Sequence, residues 1–170
     1  MIVDTISSLR GLLDSITAIL PLTQYRIEAE NDFIPSFKSA AFVLLTSLEQ
    51  KHQLVKGKER VIVEMVLTDQ SCSCLYTFFR SSEVNLLSGS VFLLHDFQLQ
   101  SKESKLITND NTKLLLLLHP LRDGHLLEYS QTISLQSSGI GAFPYLHDKL
   151  ISFLKWIFTT EHVLLLKWLI

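Results

Sequence analysis

Two cysteines in 170 residues exclude a disulfide scaffold and point to a reducing compartment. Charge is sparse too. Only 19% of residues are charged against 47% hydrophobic, which excludes a disordered polyelectrolyte, because this much apolar surface can offset the entropy of ordering. Neither sign dominates: the formal net charge is -2, so no global basic field draws the chain to nucleic acid, and such a role needs a local basic strip. Long uninterrupted apolar runs are missing. Asp4, Arg10 and Asp14 interrupt the N-terminal apolar residues, so a signal peptide is not expected there. Over residues 145–170, Lys149, Lys155, Glu161, His162 and Lys167 leave runs shorter than the roughly 20 residues that span a bilayer, so no membrane association is expected. The chain ends on Trp168, Leu169 and Ile170 without a polar stop, as expected of a piece of a longer protein. No Gly-rich phosphate loop, nucleophile elbow or paired-carboxylate arrangement occurs, and the expectation is a protein that is not an enzyme, with no cofactor.

What is present has two textures. Val3, Ile6, Leu9, Leu12, Leu13, Ile16 and Leu20 recur at three- and four-residue spacing, which predicts an amphipathic helix over 2–20, stopped by Pro21, as an N-terminal unit at 1–22. From residue 37 the runs shorten and fill with Val, Leu, Phe and Tyr. Strands are expected at 40–48 (extending toward 55), 60–67, 72–80, 90–100 and 113–119. The second alternates cleanly: Val61, Val63, Met65 and Leu67 share one face, Arg60 and Glu64 the other. The third sets Tyr76 and Phe78 against Leu75 and Phe79. The fifth, with Leu114 to Leu118 apolar on both faces, reads as a strand covered on both sides. Loops are expected at 53–60, around Gly57, and at 101–112, with a helical turn at 81–89. Helical spacing returns from Tyr145.

Five strands with a helical turn between the third and fourth, and helices outside, is the order of a small Greek-key barrel. The stretch from Val61 through Phe79, with Asp69 in the turn between strands two and three, and Leu86, Leu87 and Gly89 before strand four, resembles the oligonucleotide-binding (OB) fold of replication protein A and telomere end-capping proteins. The resemblance covers residues 37–158. It implies a mainly β, five-stranded Greek-key OB barrel at 37–143 with flanking N- and C-terminal helices. It further implies a nuclear, DNA-maintenance subunit of the replication, repair or telomere kind, binding single-stranded DNA. Other small β-barrels and a plain α+β domain stay open. The chain departs from the family in its acidic balance and few candidate stacking aromatics (Tyr76, Phe78, Phe79, Phe92), so the binding expected is weak.

The candidate nucleic-acid residues follow from that reading. Lys51, Lys56, Lys58 and Arg60 cluster in the first hairpin, and Lys102, Lys105 and Lys113 in the last; in the resembling fold the two loops flank one strand face. Arg80, Tyr76 and Phe78 complete the expected groove, since cations hold phosphates and aromatics stack bases. Glu59, Glu64 and Glu103 argue for the alternative, solvated loop lysines. Cys72 and Cys74 flank one residue, but zinc wants four ligands and no histidine is near in sequence, so no metal site is expected. His95 and Asp96 would point to opposite strand faces, which disfavours joint ligation. The C-terminal unit, 145–170, carries Leu150, Phe153, Leu154, Trp156, Ile157, Leu164 and Trp168 nearly all round. Such a helix needs cover on more than one side, and the resemblance implies that partner subunits supply it. The function expected is thus an OB subunit that holds single-stranded DNA weakly and partners through its terminal helices. The alternative is an OB scaffold that binds proteins only.

Overall fold

The computed structural model describes residues 2–3, 9–27, 38–79, 86–119 and 140–159. In chain order these form β1 (Ile2–Val3), α1 (Arg10–Ser15), β2 (Ala18–Ile19), a 3-10 turn (Leu22–Tyr25), β3 (Arg26–Ile27), β4 (Ser39–Val55) and β5 (Lys58–Thr68). There follow β6 (Ser73–Phe79), β7 (Val91–Gln100), β8 (Leu106–Leu118), a second 3-10 turn (Ile140–Ala142) and α2 (Pro144–Thr159). No helix among the described residues is long and apolar enough to cross a membrane.

All eight strands belong to one sheet with the path β1-β8-β7-β4-β5-β6. The five long ones, β4 to β8, are the five segments expected from the sequence, and they follow the strand order of an OB barrel. A closed five-stranded barrel is not what forms. The path is open, and among the described residues the edges that would close it, β6 and β8, meet at one parallel bridge between Leu75 and Lys105, where the Leu75 N–H donates to the Ser104 carbonyl at 2.9 Å. Two-residue strands from the N-terminal segment fill the remaining gaps. β1 pairs with β8 at Leu114 and Leu115, β2 with the start of β4, and β3 with the end of β7.

That use of the N-terminus overturns the helix expected over 2–20. Of that span, only Arg10–Ser15 is α-helical among the described residues. Leaving α1, the N–H groups of Thr17 and Ala18 donate to the Lys38 carbonyl, and that of Leu20 to Ala40. At this point β4 has not yet met β5, so its free edge offers a ladder that outweighs the helical spacing. Leu13 and Ile16 are buried all the same.

The β-turns also differ from expectation. The loop expected at 53–60 is a two-residue turn, Lys56 and Gly57, with φ of 51° and 77°. Positive φ at both central positions is the I′ geometry whose twist matches a hairpin, so Lys51, Lys58 and Arg60 lie on strands. The loop expected at 101–112 shrinks to about the first five of those residues, because β8 begins at Leu106 and its polar stretch pairs with β7. A bulge there places Asp96 at φ 58°, with its carboxylate accepting from the Asn109 amide.

Burial explains the unalternating sequence of β4, β7 and β8. Ala41, Val43, Leu45, Phe92, Leu94, Leu114 and Leu116 face the barrel interior, together with Val63, Met65, Leu67 and Cys74. Ala40, Phe42, Leu44, Val91, Leu93, Leu115 and Leu117 face outward, under α1 and α2. The apolar stripe of α2 is therefore spent inside the chain. Leu150 and Ile157 have no exposure, and Phe153 and Leu154 keep 6% and 2%. This corrects the expectation that a partner must cover Leu150, Phe153, Leu154 and Ile157: the outer face of the barrel is itself apolar and covers them. Each such side chain contributes about 1.5–3 kcal/mol.

One buried carboxylate ties the N-terminal segment to the barrel. Asp69 accepts from the backbone N–H groups of Leu22 (2.8 Å), Ser71 (2.8 Å) and Cys72 (3.1 Å), and from the Ser71 hydroxyl (2.6 Å). It closes the β5–β6 turn with one oxygen and holds the Leu22 turn with the other. Charge-assisted bonds of this kind exceed neutral ones in strength. Asp69→Ala should lower the urea midpoint by the equivalent of about 2–4 kcal/mol, because the buried Leu22 N–H and the part-buried Ser71 and Cys72 N–H groups lose their acceptor. A loss under about 1 kcal/mol would show that the turn holds without it.

Burial also pushes the Tyr25 hydroxyl and the Cys74 thiol up from 10.0 and 9.0 to about 12. Unfolded, these groups ionise at their ordinary values; folded, they keep their protons to about pH 12. Stability conferred by the protonated groups is complete below pH 9 and is lost as pH rises toward 12. The melting temperature should fall across that window, and Cys74→Ala should flatten its lower part.

Candidate binding face

The hairpin ladders place the cations. Along β4, β5 and β6 the cross-strand register sets Lys51 opposite Ile62 and Ile62 opposite Phe79, making one row on the outward face. The neighbouring rows are Gln53 with Arg60, then Val55 with Lys58, toward the turn. On the other side lies Glu49 with Glu64 and Thr77. Helices cover the outer face of the first part of β4, the first part of β7 and the end of β8, whereas this half of the sheet is exposed.

Within it, the Arg60 guanidinium lies over the Phe79 ring, 5.5 Å from its centroid. Phe79 stays 47% exposed. The two present a flat, partly apolar, positively charged surface, with Ile62 beside them. Lys58 and Lys56 extend it toward the hairpin tip, and neither forms an ion pair among the described residues. Lys51 is differently placed: its ammonium meets Glu64 at 3.1 Å and Glu49 at 4.0 Å. His52 meets Glu59 at 3.1 Å on the opposite face of the ribbon, where Leu54 is 74% exposed.

The last hairpin comes close to this face from the other end. Lys105 bridges to Leu75, which lies on the outward side of β6, about 13 Å along the strand from Phe79. Its side chain pairs with Glu103 at 3.1 Å, and Lys102 is exposed in the turn before it. Residues far apart in sequence thus flank one strand face. Lys113 does not join them, since it stands opposite His95 on β7, which in turn stands opposite Ala40 under the helical layer.

The aromatic residues divide by strand parity. Tyr76 and Phe78, assigned from the sequence as stacking residues, turn toward the barrel interior, where they pack half-buried with ring centroids 5.0 Å apart. Burial raises the Tyr76 hydroxyl above its ordinary value. Phe92 is fully buried. Phe79 is the one of the four that faces outward. The alternation over 75–79 separates it from Tyr76 and Phe78, but only the β5–β6 register sets it beside Arg60. Arg80, Leu164 and Trp168 lie outside the described residues, and Trp156 is half-buried against Phe153, centroids 5.4 Å apart. Cys72 precedes β6 rather than sharing it with Cys74, and no group of three metal-ligating side chains occurs among the described residues.

No protein-family model matches the chain, and no characterised protein matches its sequence. A solved structure similar to part of it is the solution NMR structure of the OB domain of Ta0387 from Thermoplasma acidophilum. The two share 10% identity with a TM-score of 0.39, over 58% of this chain and 85% of that one. So slight a likeness carries no argument about function.

Arg60 and Phe79 are exposed, so Arg60→Ala and Phe79→Ala should each change unfolding free energy by no more than about 0.5 kcal/mol. Urea melts of the two variants check this. A larger loss would mean that the pair braces the hairpin.

Proposed function

We propose that the chain is a non-catalytic binding module that takes single-stranded DNA weakly across the outward face of β5 and β6. The observation that carries this reading is the Arg60–Phe79 pair on an uncovered strand face, with Lys56 and Lys58 on one side and the 101–105 turn on the other. OB folds use this strand face and these two loops for oligonucleotides. A base can stack on Phe79 while Arg60 and the lysines meet phosphates. Glu49 and Glu64, which hold Lys51, limit the field and account for weak binding. The family resemblance adds a nuclear DNA-maintenance assembly with partner subunits. Because the stripe of α2 is spent internally, its outward side would make that contact.

A second reading, a scaffold that binds proteins only, draws on Leu54, an exposed apolar side chain near the tip of a charge-paired ribbon. Anisotropy with labelled oligo-dT separates the two. With four phosphate contacts, raising salt from about 50 to 200 mM should weaken binding roughly 50-fold, at a slope of about -0.7 per contact. Phe79→Ala should cost roughly 5- to 150-fold, the worth of one stacked base, and Lys56→Glu with Lys58→Glu should abolish what remains. Undetectable binding at low salt would sink the nucleic-acid reading and leave the scaffold.

A further inference from the structure

On the helical side, away from the strand face just described, β2, the β5–β6 turn and α2 enclose a cleft of about 270 Å³. Its floor is aromatic. Phe42 from β4 and Phe153 from α2 lie tilted with ring centroids 6.0 Å apart, and Trp156, tilted against Phe153, continues the aromatic cluster as a wall. Ile19 and Leu20 form a second wall. The walls are fastened to each other, because the Ile19 N–H donates to the Tyr145 hydroxyl at 3.0 Å. The cleft therefore exists before anything enters it, and an occupant loses little to reorganisation.

Size and charge narrow the occupant. The volume falls just under the roughly 300 Å³ at which small-molecule and cofactor sites begin, but it holds one aromatic or branched aliphatic side chain. The charged groups lining it are Lys149 and Asp69. They differ in exposure: Asp69 is 4% exposed with neutral donors on both oxygens, whereas Lys149 is exposed, so the charge an incoming group meets first is the cation. Lys149 lines the cleft from the exposed side of α2, with its ammonium 5.7 Å from the centroid of the Tyr145 ring one turn back. The rim thus presents one cation and the Gln70 amide, while the bottom is apolar. A nucleic-acid strand would need cations in series along its phosphates, and the lining supplies one.

We propose that this cleft docks a partner peptide that presents one large apolar side chain beside an acidic residue. The side chain enters between Trp156 and Ile19, and the carboxylate meets Lys149 and Gln70. This is the arrangement of an interface anchor, a large side chain in a preformed pocket with a charged neighbour at the rim. The inference does not depend on the strand face binding DNA.

The test is amide and indole NMR on the full chain, titrated with three blocked tripeptides: Asp-Phe-Asp, Lys-Phe-Lys and Asp-Ala-Asp. Asp-Phe-Asp should shift the Ile19 amide and the Trp156 indole at millimolar concentration. Lys-Phe-Lys should bind about three- to fivefold more weakly, the worth of an exposed ion pair, and Asp-Ala-Asp should leave both signals still. Ser152→Trp, which fills the cleft from an exposed rim position, should abolish the shifts with the remaining spectrum unchanged. Lys149→Glu should reverse the charge preference and serves if Ser152→Trp fails to fold. Equal shifts with all three peptides, shifts elsewhere only, or no shift at about 5 mM would each overturn the proposal. So would oligo-dT moving the same two signals.

Discussion

Burial of both faces of β4, β7 and β8 is the constraint on which the rest of the molecule depends. A strand in an ordinary half-exposed sheet alternates, and its polar face marks the solvent. Here Phe42 and Val43, Leu93 and Leu94, and Leu115 and Leu116 are neighbours in sequence with opposite destinations, and each destination is a core. One core fills the barrel, and the other joins it to α1 and α2. The helices are thus half of what keeps these strands out of water, and the outward-facing binding surface is confined to the part of the sheet they do not reach.

This division accounts for what can be read from the amino-acid sequence. The five long strands are legible, and so is the Leu run as a strand covered twice, because a five-residue apolar stretch without alternation leaves no polar face for solvent. The helix from Pro144 is legible by its spacing. The N-terminal segment misleads, because Leu13 and Ile16 are buried by a single short helix and the residues beyond it find strand partners instead. Periodicity does not tell which side of a bilaterally apolar helix meets its own chain, so it assigns Leu150 and Ile157 the wrong cover. Loop lengths fail for a related reason: Lys56 with Gly57 makes a tight turn, and polar strand residues such as Asn109 and Asn111 look like loop.

The candidate face is legible only in part. Composition singles out Lys58 and Arg60, and the family's topology implies the approach of the last hairpin to the same strand face. The aromatic partner depends on register. A shift of one residue in the β5–β6 ladder exchanges Phe78 and Phe79 between solvent and core, and no local pattern in the 72–80 run states that register. Asp69 stands out as a turn residue, but its second oxygen reaches Leu22, 47 positions away in the chain, a contact with no sequence signature.

The seam between β6 and β8 has a mechanical corollary. A cylinder stitched along a whole ladder resists widening with many hydrogen bonds at once. This open sheet is held there, among the described residues, by the Leu75–Lys105 bridge, and a single such bond contributes about 0.5–1.5 kcal/mol. How tightly the sheet curls is therefore set by what fills its inner face, with the stacked rings of Tyr25 and Phe97, 4.1 Å apart, among that packing. Strain applied to the lysine-bearing turn would be relieved by the seam parting, while the long ladder of β4 with β5 held its shape.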